Sequence, residues 1–260
     1  MQLFNASSLF NEAAGKEVLH IVNDPDKLRE KIIEIKKALL HSYRFQAFCA
    51  PEDFTTSSYI IATNHLTDSD APLIMSYYYD RMCSVLHTYP QLFVFAKENC
   101  FNGVSLPKEL MPILEMERVF PVDRSSLSGS MAAMKAAKRW FDEGEKPKHF
   151  LIFSQGTIYD INKDHPDDIE QGAFWLARML GIPVLPAFIE QAVEGEETRF
   201  IFAKPIPIPK TCRSFDPYKQ QWLDSVIKAQ HELERITGVP AREVKLDEAH
   251  QTRKRFRANG

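Results

Sequence analysis

The chain has 260 residues, of which 44% are hydrophobic and 26% are charged, and its formal net charge is −3. This composition is typical of a globular protein with a sizeable core, and the length fits one large domain or one domain with an appendage. The slightly negative charge excludes a binder that holds nucleic acid through an overall basic surface, so no nucleic-acid partner is expected.

The cysteine spacing and the hydropathy of the chain narrow the class of protein further. The four cysteines lie far apart and form no C-x-x-C pair, which argues against a zinc site and against a disulfide framework. Residues 82–96 form the longest stretch without charge, and it is too short and too polar to span a bilayer. Residues 1–5 lack the basic start and long apolar core of a signal peptide. A reducing, cytoplasmic location is therefore expected.

The N-terminal segment, residues 1–54, is predicted to be helical. Within it, residues 26–48 read as one amphipathic helix, because apolar residues recur at helical spacing. These residues are Leu28, Ile32, Ile35, Leu39 and Tyr43. The opposite face is mostly basic. The helix either packs its apolar stripe on its own core or lies on an anionic membrane.

Residues 55–250 are predicted to form an α/β domain with a mixed, largely parallel sheet flanked by helices. Short apolar strands alternate there with helical patterns, as in such folds. The predicted strands are 59–63, 92–96, 119–122, 150–153, 184–189 and 199–203. The predicted helices are 72–82, 126–142, 169–180 and 218–236. A basic tail, residues 251–260, is either frayed or a contact for a membrane or an acidic partner.

His65 and Asp70 follow the first strand of this domain. Their spacing of five residues separates them on a regular helix or strand, so they can meet only if the chain turns between them. A carboxylate delivered to an imidazole suggests a general base held in one tautomer. Two other interpretations stay open at this point. Asp70 can be a helix N-cap, and His65, Asp68 and Asp70 can form a metal cluster.

Two later strand ends carry candidate ligands. Arg124 follows strand 119–122, where it can hold an anionic group or pair with Asp123 on the surface. Strand 150–153 opens into a small-residue loop that contains Gly156. Backbone N–H groups in such a loop can hold an oxyanion, or the loop is an ordinary turn.

In their order along the chain, four motifs resemble the lysophospholipid acyltransferase family, whose type is the bacterial 1-acylglycerol-3-phosphate acyltransferase. The first is His-x4-Asp at residues 65–70, and the second is the strand ending in arginine at 119–124. The third is Phe-x-x-Gly-Thr at 153–157, and the fourth is Ile-Pro-Val-x-Pro at 182–186. The likeness covers roughly residues 58–190.

The resemblance implies an acyl transfer without a covalent acyl-enzyme. His65 would take the proton from an acceptor hydroxyl, which attacks the thioester carbonyl of acyl-CoA or acyl carrier protein. Asp70 would orient the imidazole, and backbone N–H groups near Gly156 would stabilise the oxyanion. No metal and no cofactor would be needed beyond the acyl thioester as co-substrate. Substrate contacts are implied for Asn64, Lys97, Arg124, Gln155, Gly156 and Thr157.

Three positions depart from the family pattern. Its third motif usually reads Phe-Pro-Glu-Gly-Thr-Arg, and this chain has Gln155 for the glutamate and Ile158 for the arginine. Gln171 stands where the family usually has lysine before Gly-Ala-Phe. Each lost charge-assisted contact is worth about 1.5–3 kcal/mol. The expected acceptor is therefore not simple lysophosphatidic acid, but a less charged lysophospholipid-like alcohol, or a hydroxyl or amine on another amphiphile.

The sequence leaves two rival functions open. A non-catalytic lipid- or acyl-carrier-binding protein fits the altered third motif, although a pure binder has no need of an oriented base. A thioester hydrolase differs only in letting water reach the carbonyl. In every case the expected location is the cytoplasm, with peripheral contact on the inner face of the membrane through residues 26–48 or the tail as an alternative.

Overall fold

The computed structural model describes residues 20–21, 24–86, 92–97, 111–123 and 126–246. The helices within these ranges are α1 (Pro25–Ser42), α2 (Asp70–Leu86), α3 (Met111–Met116), α4 (Leu127–Asp142), α5 (Gly172–Leu180) and α6 (Asp216–Thr237). The strands are β1 (Gln46–Phe48), β2 (Ile60–Thr63), β3 (Leu92–Lys97), β4 (Val119–Val122), β5 (His149–Phe153), β6 (Val184–Ile189) and β7 (Arg199–Phe202). Two 3₁₀ turns, Ile161–Lys163 and Pro166–Asp168, follow β5.

The strands form one sheet in the order β1-β7-β6-β2-β5-β3-β4. All neighbouring pairs are parallel except β6 and β7, which are antiparallel. The predicted mixed, largely parallel α/β fold is thus confirmed. β2 lies between β5 and β6 in matching register, since Thr63 pairs with Phe153 on one side and with Ala187 on the other. The carboxyl ends of these three strands therefore meet at one edge of the sheet, where ligands bind in such folds.

Helices cover both faces of the sheet. Side chains alternate along β2, so Ile60 and Ala62 face the cluster formed with α4, α5 and α6, while Ile61 faces the cluster formed with α2. On the first side, the indole of the fully buried Trp222 donates to the Ala62 carbonyl oxygen at 3.0 Å. The central strand is thus packed from both sides, which keeps its carboxyl end in place.

The predicted helix over residues 26–48 is wrong at its C-terminal end, because α1 stops at Ser42. Arg44 adopts a positive φ of 40°, which turns the chain out of the helix. Residues 46–48 then pair with β7 as the edge strand β1. A strand of three residues is too short to show periodicity, so the segment 1–54 contributes to the sheet in a way that the sequence did not predict.

An ion pair at the carboxyl end of β6 was not predicted either. The Arg199 guanidinium grips both carboxylate oxygens of Glu190 at 2.9 and 2.7 Å, and both side chains are buried. Its other N–H groups bind the hydroxyl of Thr237 and the carbonyl oxygens of Val239 and Pro240. Charge pairs of this kind are stable inside a protein only when every donor has an acceptor, and this one joins the end of β6 to the end of α6.

His149 lies buried at the opposite end of the sheet. It packs against the rings of Phe54, Tyr59 and Tyr78, and its Nδ1 lies 3.1 Å from the Tyr78 hydroxyl. Burial lowers the pKa of His149 to about 3, because the charged imidazole would lose its hydration. The residue therefore stays neutral in the folded protein over the whole physiological range.

This burial predicts a specific loss of stability in acid. Below pH 6.5 the unfolded chain protonates His149 while the folded chain does not, so the free energy of unfolding falls as the pH drops towards the folded-state pKa. The expected slope from this residue is about 1.4 kcal/mol per pH unit. Urea unfolding at about pH 7, 6 and 5 should show a shallower pH dependence for His149→Phe than for the wild type. The exposed His231→Gln serves as the control and should keep the wild-type slope; equal slopes in all three proteins would contradict the assignment.

Candidate active site

His65 and Asp70 meet across the turn that joins β2 to α2. Nδ1 of His65 lies 3.0 Å from Oδ2 of Asp70. A carboxylate can only accept, so Nδ1 carries the proton and Nε2 keeps its lone pair. The His65 side chain is 20% exposed whereas that of Asp70 is fully buried. The imidazole is thus oriented from the protein side and open on the other, which is what a general base requires.

The Asp70 carboxylate is held by the turn itself. Oδ2 also accepts the backbone N–H groups of Leu66 and Thr67 at 2.6 and 2.9 Å, and Oδ1 accepts the Thr67 hydroxyl at 2.7 Å. Asp70 is the first residue of α2, but all of these donors precede it in the chain and none belongs to the helix. Within the described ranges, the N-cap interpretation is therefore wrong. Leu66 and Thr67 were not predicted as part of the site, because backbone donors carry no signature in a sequence.

The metal interpretation finds no cluster of ligands to support it in the part of the chain that the structure describes. No group there brings together three or more His, Cys, Asp or Glu side chains that could hold a metal ion. Asp68 is exposed, whereas Asp70 is buried and used by the turn.

Asn64 connects the site to β6. Its side-chain Nδ2 donates to the carbonyl oxygen of Ile189 and its Oδ1 accepts the N–H of Ile189, both at 2.8 Å. The residue is fully buried. Both polar atoms of the Asn64 amide thus bind the end of β6, and the substrate contact that the resemblance implied for Asn64 stays a prediction.

The loop after β5 holds the backbone of His65. Oε1 of Gln155 accepts the His65 N–H at 2.6 Å, and the N–H of Tyr159 donates to the His65 carbonyl oxygen at 2.9 Å. Nε2 of Gln155 donates to the Tyr159 carbonyl oxygen at 2.9 Å and to Oδ2 of Asp164 at 2.6 Å. Gln155 is only 2% exposed. Like Asn64, it contacts the protein where a substrate contact was expected.

The same loop shapes the surroundings of the imidazole. The ring of Phe153 stacks on that of His65 with 4.2 Å between centroids, a contact that was not predicted although the aromatic residue ends β5. Gly156 adopts a φ of 69°, and its N–H donates to the Phe153 carbonyl oxygen at 2.9 Å. The N–H of Gly156 itself is thus used within the loop, and the oxyanion contact expected from N–H groups near Gly156 stays a prediction. Thr157 follows it as a half-buried residue.

The remaining predicted ligands belong to β3 and to the chain after β4. Lys97 ends β3 and pairs with Val122 of β4, but its side chain lies outside what the structure describes. Arg124 lies outside the described residues altogether. Their substrate contacts stay predictions.

Asp123 brings a carboxylate to the N-terminus of α4, close after the end of β4. Its Oδ2 accepts the hydroxyl of Ser126, the N-cap residue, at 2.6 Å. The side chain also lies against the first turn, since a Cβ added at Gly129 would come within 2.7 Å of Oδ2. Helix N-termini favour anions, and here one of the protein's own carboxylates takes that place.

Comparisons with known proteins agree with this architecture. The family model described as Acyltransferase matches residues 46–190, a range that begins at β1 and ends just after β6. No curated protein matches the chain. The crystal structure of the 1-acyl-sn-glycerophosphate (LPA) acyltransferase PlsC from Thermotoga maritima is similar, with a TM-score of 0.57 at 15% identity over 88% of this chain and 90% of that one. The chain therefore belongs to the acyltransferase family, on the α/β fold of the PlsC-type lysophospholipid acyltransferases.

Proposed function

We propose that the protein moves a fatty acyl group from a thioester, acyl-CoA or acyl carrier protein, to a hydroxyl or amine of a lysophospholipid-like or other amphiphilic acceptor. Nε2 of His65 removes the acceptor proton as the acceptor oxygen or nitrogen attacks the thioester carbonyl. The tetrahedral intermediate then collapses and expels the thiolate, which takes the proton from the imidazolium. Asp70 keeps the imidazole in the required tautomer and stabilises its charged form.

One observation carries this proposal, namely the 3.0 Å contact between Nδ1 of His65 and the buried Asp70 carboxylate. The buried carboxylate keeps the proton on Nδ1 of a partly exposed imidazole, which leaves Nε2 to act as the base. A protein that only binds lipid needs no such arrangement, so the pair favours an enzyme over a binder.

The oxyanion contact is assigned to the loop after Gly156. The backbone N–H groups of Thr157 and Ile158 find no hydrogen-bond acceptor among the described residues. Unused N–H groups beside a general base are suited to the negative charge that develops on the thioester oxygen.

The acceptor proposed here carries no phosphate monoester, unlike the 1-acyl-sn-glycerophosphate for which the Thermotoga maritima acyltransferase is named. Two of the family cations are replaced by Ile158 and Gln171, and the anion-favouring end of α4 is taken by Asp123, whereas Lys97 and Arg124 remain. A dianionic head group would therefore meet the Asp123 carboxylate and two cations fewer than the family usually provides. A neutral or less charged head group avoids this repulsion.

We propose a cytoplasmic location with at most peripheral membrane contact. α1 buries Leu28, Ile32 and Leu39 in the protein, so its apolar stripe packs on the core. Lys36, assigned from the sequence to the basic face, is buried against Glu117 at 2.5 Å. No helix in the described ranges is both long and apolar enough to cross a membrane. The tail 251–260, the other expected contact, lies outside the described residues.

Removing the imidazole should abolish most of the activity. General-base catalysis contributes about 10²–10⁴-fold, so His65→Ala should lower acceptor-dependent thiol release from a long-chain acyl-CoA by at least about 100-fold. The exposed His231→Gln on α6 is the matched control and should keep wild-type rates. Equal release by His65→Ala and wild type would contradict the proposal, and release that needs no acceptor would indicate a hydrolase.

Restoring the family cations should change acceptor preference. The double variant Ile158→Arg, Gln171→Lys should raise kcat/KM for lysophosphatidic acid by about tenfold or more relative to a lysolipid without a phosphate monoester, since each charge-assisted contact is worth about 1.5–3 kcal/mol. Gln221→Lys adds a positive charge on the exposed face of α6 and should leave the ratio unchanged. If wild type already prefers lysophosphatidic acid over all other acceptors, the acceptor proposal fails.

A further inference from the structure

We propose that Gln155 and Asp164 form an amide–carboxylate pair that positions His65, and that Asp164 makes the amide at residue 155 necessary. Gln155 touches the backbone of the base and no reacting atom, so it is a positioning residue. Its catalytic consequence rests on the proposed role of His65; its structural consequence does not.

The orientation of the Gln155 amide follows from its partners. A backbone N–H can only donate, so the atom 2.6 Å from the His65 nitrogen is the side-chain oxygen. A carbonyl and a carboxylate can only accept, so the atom facing Tyr159 and Asp164 is the NH₂ group. A flipped amide would satisfy none of these contacts. The side chain is thus locked by neighbouring groups of opposite hydrogen-bond character.

The pair fixes His65 from both sides of the residue. Gln155 holds the N–H of His65, and Tyr159, whose own carbonyl oxygen is held by Gln155, holds the carbonyl oxygen. Loss of the Gln155 contacts would release the N–H and the carbonyl oxygen of His65 together. The imidazole would then keep its link to Asp70 but lose the backbone position that aims Nε2 at the acceptor.

Glutamate at residue 155 cannot replace this amide in the present loop. Its second oxygen would face the Tyr159 carbonyl oxygen and, at about the 2.6 Å now spanned by a hydrogen bond, the Asp164 carboxylate. A carboxylate at the buried residue 155 and the half-buried Asp164 carboxylate would repel strongly at that distance and would not both ionise. The amide at residue 155 and the carboxylate at residue 164 therefore match each other in this chain.

This match changes how the altered third motif is interpreted. From the sequence alone, the loss of the glutamate supports a protein that no longer catalyses. The contacts indicate instead that the neutral side chain keeps the base in place. The departure at residue 155 is then compatible with a working site, because the amide suits Asp164.

A four-protein cycle tests the coupling. Gln155→Glu should lower kcat for acyl transfer by at least about tenfold with little change in KM for the acyl thioester, because one charged contact becomes repulsive. Asp164→Asn should lower kcat less than Gln155→Glu does, since the oxygen of the new amide can still accept from Gln155. The double variant should recover most of the lost kcat, because the amide introduced at residue 164 can donate to the new carboxylate. Recovery should be incomplete, because the Tyr159 carbonyl oxygen still faces an oxygen of that carboxylate.

Gln220→Glu is the matched control for this cycle. Gln220 also donates its amide to an aspartate, Asp224, at 2.8 Å, but both residues lie exposed on α6. Water screens the like charges there, so kcat should stay within about twofold of wild type. A Gln155→Glu protein as active as Gln220→Glu, or a double variant no better than Gln155→Glu, would overturn the proposal.

Hydrogen exchange tests the positioning pair independently of the proposal that His65 is the general base. The amide of His65 should exchange at least about tenfold faster in Gln155→Glu than in wild type, and the double variant should restore the slower rate. This readout does not depend on catalysis. If His65→Ala stays active while the exchange result holds, the general-base assignment fails and the positioning pair stands; unchanged exchange overturns the pair.

Discussion

A carboxylate taken out of water must be surrounded by hydrogen-bond donors, because an uncompensated buried charge costs several kcal/mol. Asp70 meets this requirement with two backbone N–H groups, the Thr67 hydroxyl and the His65 imidazole. The two N–H groups can reach the carboxylate only if the chain between β2 and α2 curls around it. The shape of the turn, the buried position of Asp70 and the tautomer of His65 therefore follow from a single charge.

The sheet supplies the second constraint on the same turn. Parallel strands end at one edge, so the residues that follow β2, β5 and β6 are neighbours although they are distant in sequence. Asn64 joins the turn to Ile189 at the end of β6, and Gln155 joins it to the loop after β5. The motifs suggest that both side chains bind substrate, and in the structure both bind the backbone of neighbouring segments. The partly exposed imidazole of His65 lies beside the Phe153 ring, and the proposed mechanism brings the thioester and the acceptor to its exposed side.

Much of this could be predicted because the patterns are local. Continuous apolar runs marked β4 and β6 at their observed bounds, and helical periodicity with a terminal glycine marked α5 and α6. β1 could not be predicted, since three residues at a sheet edge carry no period and its pairing depends on β7. The buried ion pair of Arg199 and Glu190 could not be predicted from the sequence for a similar reason. Each residue reads as a surface charge, and only the chain at the end of α6 buries the pair.

The sequence by itself determined the family and the candidate residues: a histidine and an aspartate spaced for a turn, in an ordered set of motifs, and the loss of family cations at Ile158 and Gln171. Only the tertiary structure decided which of the motif residues are paired with other parts of the protein. That distinction depends on which atoms are left without a partner once the strand ends converge. Asn64 has its partner in β6 and Gln155 has its partner in Asp164, whereas Nε2 of His65 has no hydrogen-bond partner among the described residues.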